Sequence, residues 1–348
     1  MKILYTGPLV AGDTCELRRR ALERLGHETI PVDYLAHFEG HGAVARKLQW
    51  HLRSGPIVRA YHAALVAALS RRPDVLWVDK GIFVPPSILA AARSAGVRWL
   101  VHYSPDNYLL RQNASRHLWR SLAHYDVVVT TKRSNLRLLE TVGARRVLLS
   151  GNAYDPELHR PVTLTDAERT ALAADVSFIG RWEPDRERLL DAIVALPVRL
   201  RVRGPGWERV RSRLLRPACE PGSLYGEEYV KALAAAKINL GLLSVVAGDA
   251  ITQRSIELPA CGTFMLAERT GEHRLHFVDG EEAVLFDDAA DLVRKVQHYL
   301  GADAERARIA AAGRARCLRS GYSFDDRLRD VLAALEAPRT AGRAEHAA

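Results

Sequence analysis

The chain has 348 residues, a formal net charge of +9 and an isoelectric point near 9.6. With 48% hydrophobic residues it can fill two α/β cores rather than one, and no run approaches the ~20 uninterrupted apolar residues of a membrane-spanning helix. The basic balance suits a nucleotide diphosphate or a membrane surface, or is a solvated arginine-rich exterior; the absence of an RNA-binding signature, a helix-turn-helix pattern or aromatics interleaved with basic residues argues against nucleic acid.

The opening stretch, Met1 to Val10, reads directly as a first strand and lacks the layout of a signal peptide. Cys15, Cys219, Cys261 and Cys317 form no closely spaced pair, so neither a zinc site nor a disulfide framework is expected. Both features point to a cytoplasmic protein.

Short apolar runs then alternate with amphipathic stretches, the pattern of parallel sheets covered by helices. The first half predicts strands at Lys2 to Thr6, Val75 to Val78, Val97 to His102, Asp126 to Thr131 and Arg145 to Leu149, with helices from Thr14 to Leu25 and Pro85 to Ala95, each stopped by a glycine. Between Val44 and Arg72 lies a basic stretch containing Trp50, Leu52, Ile57, Val58 and Tyr61, suited either to a membrane surface, to an acceptor cleft, or to an ordinary amphipathic surface helix.

The second half predicts strands at Val176 to Gly180, Leu200 to Arg203, Ile238 to Leu243, Thr263 to Leu266 and Val284 to Phe286, separated by helices that begin near Arg186, Glu227, Arg254, Ala289 and Ala304. The expected fold is α/β, two Rossmann-like domains facing a cleft. Their boundaries fall at 1–160 and 161–322, with a helix over 323–336 crossing back to the first domain and a disordered tail over 337–348.

Ligands of open parallel sheets sit at the carboxyl ends of the strands. There the loop from Gly180 to Arg186 leaves a strand and opens a helix, so helix amides and Arg181, Arg186 and Arg188 can converge on an anion; alternatively Arg186 and Arg188 pair with Glu183 or Glu187 on an exposed helix. Gly204 and Gly206 end the next strand and allow a tight turn or close approach of a ligand. The segment from Gly248 to Thr263 brings Asp249, Thr252, Arg254, Ser255 and Glu257 into one loop and helix start. Thr252 or Ser255 can cap that helix; Glu257 is placed to accept hydrogen bonds from ribose hydroxyls.

This segment resembles the donor-site signature of the retaining, glycogen-synthase-like GT-B glycosyltransferases, in which two glutamates with seven residues between them precede an Ala-Cys-Gly-Thr turn; here the first carboxylate is Asp249 and the second Glu257. A closer resemblance is to the CgeB-like (spore maturation protein-like) branch, carried by ALERLGHE at 21–28, VSFIGRWEPDRERLL at 176–190, GEEYVKALAAAKINLGLL at 226–243, the stretch at 248–277 and DGEEAVLFDD downstream.

The resemblance implies a glycosyltransferase taking a nucleotide-diphosphate sugar, with UDP, GDP and dTDP all open. Arg181 and Arg186 would hold the diphosphate, Glu257 the ribose and Asp249 the transferred sugar, with Gly180, Gly204, Gly206, Thr252, Arg254 and Ser255 completing the donor site. In the first half His102 is either a catalytic histidine or a buried structural one. Asp106 is a rival for the chemistry, and Asn107, Gly7 and Gly12 belong to the acceptor side. No Asp-x-Asp motif is present, so transfer is expected to need no metal or other cofactor, and the carboxylate spacing implies retention. A glycan, a protein side chain or a small metabolite remains open as acceptor. A sugar-nucleotide epimerase of the same architecture and a non-catalytic nucleotide-binding protein remain as alternatives.

Overall fold

The computed structural model describes residues 1–337 and 345–346. The chain divides into two compact units, one built from Met1–Gly151 together with the chain from Phe324 onward, the other from Asn152–Ser323.

In unit 1 the strands are β1 (Lys2–Gly7), β2 (Glu28–Asp33), β3 (Val75–Asp79), β4 (Trp99–Ser104), β5 (Val127–Thr130) and β6 (Val147–Leu149); the helices are α1 (Thr14–Arg24), α2 (Ala43–Leu52), α3 (Pro56–Ala68), α4 (Pro86–Ser94), α5 (Arg116–Ser121) and α6 (Leu136–Thr141). Unit 2 contains β7 (Ala174–Ile179), β8 (Leu200–Arg203), β9 (Cys219–Glu220), β10 (Ala236–Gly241), β11 (Met265–Glu268) and β12 (Val284–Phe286), with α7 (Asp166–Leu172), α8 (Pro184–Val194), α9 (Gly226–Ala234), α10 (Arg254–Ala260), α11 (Gly271–His276), α12 (Ala289–Gly301) and α13 (Asp303–Arg319). The chain then returns to unit 1 as α14 (Phe324–Glu336) and a short β13 (Glu345–His346). The tail expected to be disordered lies mostly outside the described residues; within it, β13 pairs with β6.

Every strand pair is parallel. Central strands such as β3, buried at all five positions, carry the continuous apolar runs that a sheet covered on both faces requires. Unit 1 has the order β13-β6-β5-β4-β3-β1-β2, and unit 2 the order β12-β11-β10-β7-β8-β9. The direction of winding therefore reverses between β1 and β3 in unit 1, and between β7 and β10 in unit 2. A crevice opens beyond the carboxyl ends of the strands at such reversals, the usual ligand position in these sheets.

Helix α14 closes unit 1 by packing on α1. It buries Phe324, Leu328, Val331 and Leu335, and Arg24 forks onto Asp325 at 2.5 Å. The ends of unit 2 are hydrogen-bonded to each other, with the Tyr154 amide donating to the Tyr322 carbonyl at 3.0 Å beside a Tyr154–Ser323 bridge.

Among the departures from expectation, two bear on the surface and edge of unit 1. Strand β2 carries Pro31 at the sheet edge, where a missing N–H is tolerated, and it was not predicted. The basic stretch after Val44 is two helices separated by Arg53–Gly55. Ile57, Val58 and Tyr61 on α3 are core residues and Trp50 packs against that core, so of the five apolar residues singled out there, only Leu52 is exposed.

Candidate functional site

The winding reversal of unit 2 is built from the ends of β7 and β10. After β7 the chain passes through Gly180, where a Cβ would lie 2.6 Å from Arg254 Nη2 and 2.7 Å from the Phe178 ring. Glycine here gives the Arg254 guanidinium room to lie over Phe178, 5.0 Å from the ring centroid. At Gly204, with φ +141°, a Cβ would fall 2.1 Å from the Gly180 carbonyl oxygen. That glycine serves strand-end packing, and Gly206, at φ +92°, receives the Trp182 side chain in the same way.

Arg186, on the first turn of α8, is 5% exposed. Its Nε donates to the Leu243 carbonyl at 2.9 Å, Nη1 to the Arg181 carbonyl at 2.9 Å and Nη2 to the Leu242 carbonyl at 3.4 Å. Glu183 lies 3.1 Å away. Arg254, at the start of α10, donates through Nη1 to the same Leu242 carbonyl at 3.0 Å and makes no ion pair among the described residues. Burial, and then the neighbouring Arg254 charge, lower the Arg186 pKa to about 10. Two guanidiniums thus share one carbonyl, and the carboxylates of Glu183, Asp249 and Glu268 act against the lowering of the Arg186 pKa. Arg181 is exposed beside them, while Arg188 pairs with Asp185 at 2.8 Å on the outer face of α8. Glu187 turns inward and accepts from Trp182 Nε1 and from the Arg211 and Ser212 amides, bracing the loop.

Asp249 sits in the loop between β10 and α10, its amide donating to the Ser244 carbonyl at 2.9 Å. Eight residues on, Glu257 is fixed within α10 by the Tyr229 hydroxyl, which donates to Oε2 at 2.9 Å, while Oε1 lies 3.8 Å from His159 Nε2. Thr252 and Ser255 form the helix start, with the Ser255 amide donating to Thr252 Oγ1 at 3.4 Å. Ser255 Oγ also meets His273 Nε2 at 2.8 Å, and His273 Nδ1 lies 2.6 Å from the Glu268 carbonyl. Burial lowers the His273 pKa to about 4. This neutral ring ties α10 to the end of β11, and sequence reading missed it because nothing about the Gly-Glu-His-Arg stretch distinguishes a brace from a surface histidine.

In unit 1 the winding reversal brings Gly7 against Asp79, and a Cβ at Gly7 would lie 2.9 Å from the Asp79 Cβ. Asp79 is buried with Arg18 of α1, and it accepts from Tyr5 Oη at 2.5 Å. The next residue, Lys80, has φ +62° and is spanned by a Gly81 N–H to Asp79 carbonyl hydrogen bond of 2.8 Å, a γ-turn of the strained hand. Its ammonium lies 3.9 Å from Asp106 Oδ2. Burial opposes the Lys80 charge, but Asp106, Cys15 and Asp13 outweigh it and raise the pKa.

His102 is fully buried in β4. Its Nε2 shares a 2.8 Å hydrogen bond with the Tyr108 hydroxyl, its ring lies 5.1 Å from that of Tyr125, and burial lowers its pKa to about 4. A Cβ on Gly81 would lie 2.8 Å from its imidazole edge, so the ring backs the γ-turn and exposes no surface to a ligand. Asn107 builds its own loop, Oδ1 accepting the Leu109 amide at 3.0 Å, and Gly12 turns the chain into α1 at φ +77°.

Residues 185–333 match the family model described as glycosyl transferase-like. The structure is similar over 97% of its length to sucrose-phosphate synthase from Thermosynechococcus elongatus (TM-score 0.67, 16% identity, 98% of that chain). Similar values hold for Anabaena HepE in complex with UDP and glucose (TM-score 0.64, 14% identity, 96% of this chain and 100% of that one) and for a glycosyltransferase from Rickettsia africae (TM-score 0.65, 13% identity, 96% and 97%). No curated protein matches by sequence. The fold is thus the GT-B class, two Rossmann-like units.

Proposed function

We propose that the protein is a glycosyltransferase that moves a sugar from a nucleotide-diphosphate donor to a hydroxyl-bearing acceptor. The observation that carries this reading is the Arg186–Arg254 pair on one carbonyl at the winding reversal of unit 2. The glycosyl transferase-like match over 185–333 and the CgeB-like stretches at 176–190 and 248–277 support it.

Arg254 and Arg181 contact the diphosphate, and Arg186, committed to three carbonyls, holds the loop and adds its field. Glu257, oriented by Tyr229, accepts from the ribose hydroxyls; Asp249 accepts from the transferred sugar. As the bond from C1 to the diphosphate oxygen breaks, its electron pair passes to the leaving group and the arginines stabilise that charge without a metal. The acceptor oxygen forms the new bond on the same face and its proton passes to the departing diphosphate, which retains configuration. On the acceptor side, Asp106 and Lys80 offer an acceptor and a donor to incoming hydroxyls, and His102 holds their turn in place. UDP is the first donor nucleotide to try, because HepE is complexed with UDP and glucose.

The test is a thermal-shift and turnover series with UDP, GDP and dTDP sugars, with and without magnesium, followed by NMR of the product anomer. Stabilisation by one diphosphate family that is lost in Glu257→Ala supports the reading. Conversion of donor to a sugar epimer in the absence of any acceptor makes the protein an epimerase, and no response to any nucleotide ends the proposal.

A further inference from the structure

Helix α2 has no buried residue. At about 100° per residue, Val44, Leu48 and Leu52 fall on one stripe, and they are 82%, 56% and 63% exposed, whereas Trp50 on the opposite side packs into the core. Lys47 and His51 flank the stripe. The C-terminal end of α2 is docked onto the segment formed by α5 and the residues before it: Arg53 Nη2 donates to the Gln112 carbonyl at 3.2 Å, and His117 Nε2 meets the Arg53 carbonyl at 3.0 Å. That segment adds Leu109, 69% exposed, and the exposed Arg111, Arg116 and Arg120. The two stretches forming this face, 40–73 and 107–125, contain no Asp or Glu. None of Arg46, Lys47, Arg111, Arg116 and Arg120 makes an ion pair among the described residues, whereas Arg188, for comparison, has Asp185 beside it.

We propose that this face of unit 1 docks on an anionic lipid bilayer, the α2 stripe and Leu109 entering the headgroup boundary and the arginines meeting lipid phosphates. An apolar stripe edged by cations is the signature of a helix lying in a membrane interface, and the charge complement of an acid-free basic rim is an anionic surface. A soluble polyanion matches the cations but leaves three adjacent aliphatic side chains in water, and a protein partner would need a run of acidic groups around an apolar groove. The proposal does not depend on the transferase reading.

The experiment is cosedimentation of the full chain with vesicles of phosphatidylcholine alone or mixed equally with phosphatidylglycerol, at low and high salt. The variants are Leu48→Glu with Leu52→Glu, and Arg111→Gln with Arg116→Gln and Arg120→Gln. All five positions are exposed, so the melting temperature should match wild type. Wild type should pellet with the phosphatidylglycerol vesicles and far less with phosphatidylcholine. The leucine variant should lose at least about tenfold in binding, and the arginine variant about a hundredfold, taking about fivefold per basic residue near an anionic surface. No enrichment on phosphatidylglycerol vesicles overturns the proposal. So does full binding by the leucine variant with dextran sulfate displacing it, which would make the face a polyanion site.

Discussion

Arg186 and Arg254 donate to one and the same acceptor, the Leu242 carbonyl oxygen, at 3.4 and 3.0 Å. Each guanidinium is held by backbone, and the Arg254 charge adds to burial in drawing the Arg186 pKa down, against the opposing pull of Glu183, Asp249 and Glu268.

Arg254→Met keeps the packing on Phe178 and removes the like charge. Its ligand-free melting temperature should therefore equal or exceed that of wild type, while UDP affinity falls about 10- to 100-fold, the range for lost hydrogen bonds to a charged group. Calorimetry of UDP binding together with a thermal scan checks both halves. A lower melting temperature with unchanged affinity would assign Arg254 to packing alone.

Gly204→Ala should be severe. The new methyl meets the Gly180 carbonyl oxygen at 2.1 Å with φ at +141°, so both backbone strain and collision apply. A loss of about 3 kcal/mol or more is expected, lowering the melting temperature by about 6–12 °C. Gly222→Ala, where a Cβ meets nothing within 4 Å at φ +85°, carries the strain without the collision and should cost less.

Lys80→Gly should change stability little. Relief of a non-glycine residue in the γ-turn, about 1–3 kcal/mol, is offset by the added chain entropy of glycine, about 0.5–1 kcal/mol, and by loss of the interactions with Asp106, Cys15 and Asp13 that raise the Lys80 pKa. Chemical denaturation should stay within about 1 kcal/mol of wild type, while acceptor-dependent turnover falls because the ammonium beside Asp106 is gone. Unchanged turnover would detach Lys80 from the acceptor.

Stability should fall on acidification from pH 6.5 towards 4. His102 and His273 are both buried neutral, with folded pKa values lowered to about 4 by burial, so the unfolded chain binds more protons across this window. Their contribution is fully present above the unfolded value near 6.5 and is lost as pH drops through the folded one. Each histidine adds about 1.4 kcal/mol per pH unit at most. Melting curves of His273→Asn should be flatter over the same range than those of wild type.

The alternation of strand and helix was legible because buried parallel strands such as β3 and β5 leave short apolar runs, and glycines mark the helix ends. Asp249, Thr252, Arg254, Ser255 and Glu257 were legible as one group because the loop after β10 and α10 are contiguous in sequence. What was not legible is which arginine is free for a ligand: Arg186 and Arg254 are alike as letters, and only the carbonyls at the end of β10 separate them. Gly204 reads the same whether a ligand or another backbone approaches it. Strand β2 was hidden by Pro31, and α2 looked continuous with the core-facing α3 because their hydrophobic patterns abut across Arg53–Gly55. Lys80 carries no signal at all of its positive φ.

Because unit 1 is interrupted, its first 151 residues emerge from the ribosome lacking the helix that covers α1. Until Phe324 and Leu328 arrive, that face stays bare through the synthesis of the whole of unit 2. Unit 2 is different, since its two ends meet at Tyr154 and Ser323 and it can close as soon as it is made. The second unit should therefore be the first to mature, and a nascent chain halted before Phe324 should hold a folded unit 2 on an N-terminal unit that still needs a chaperone.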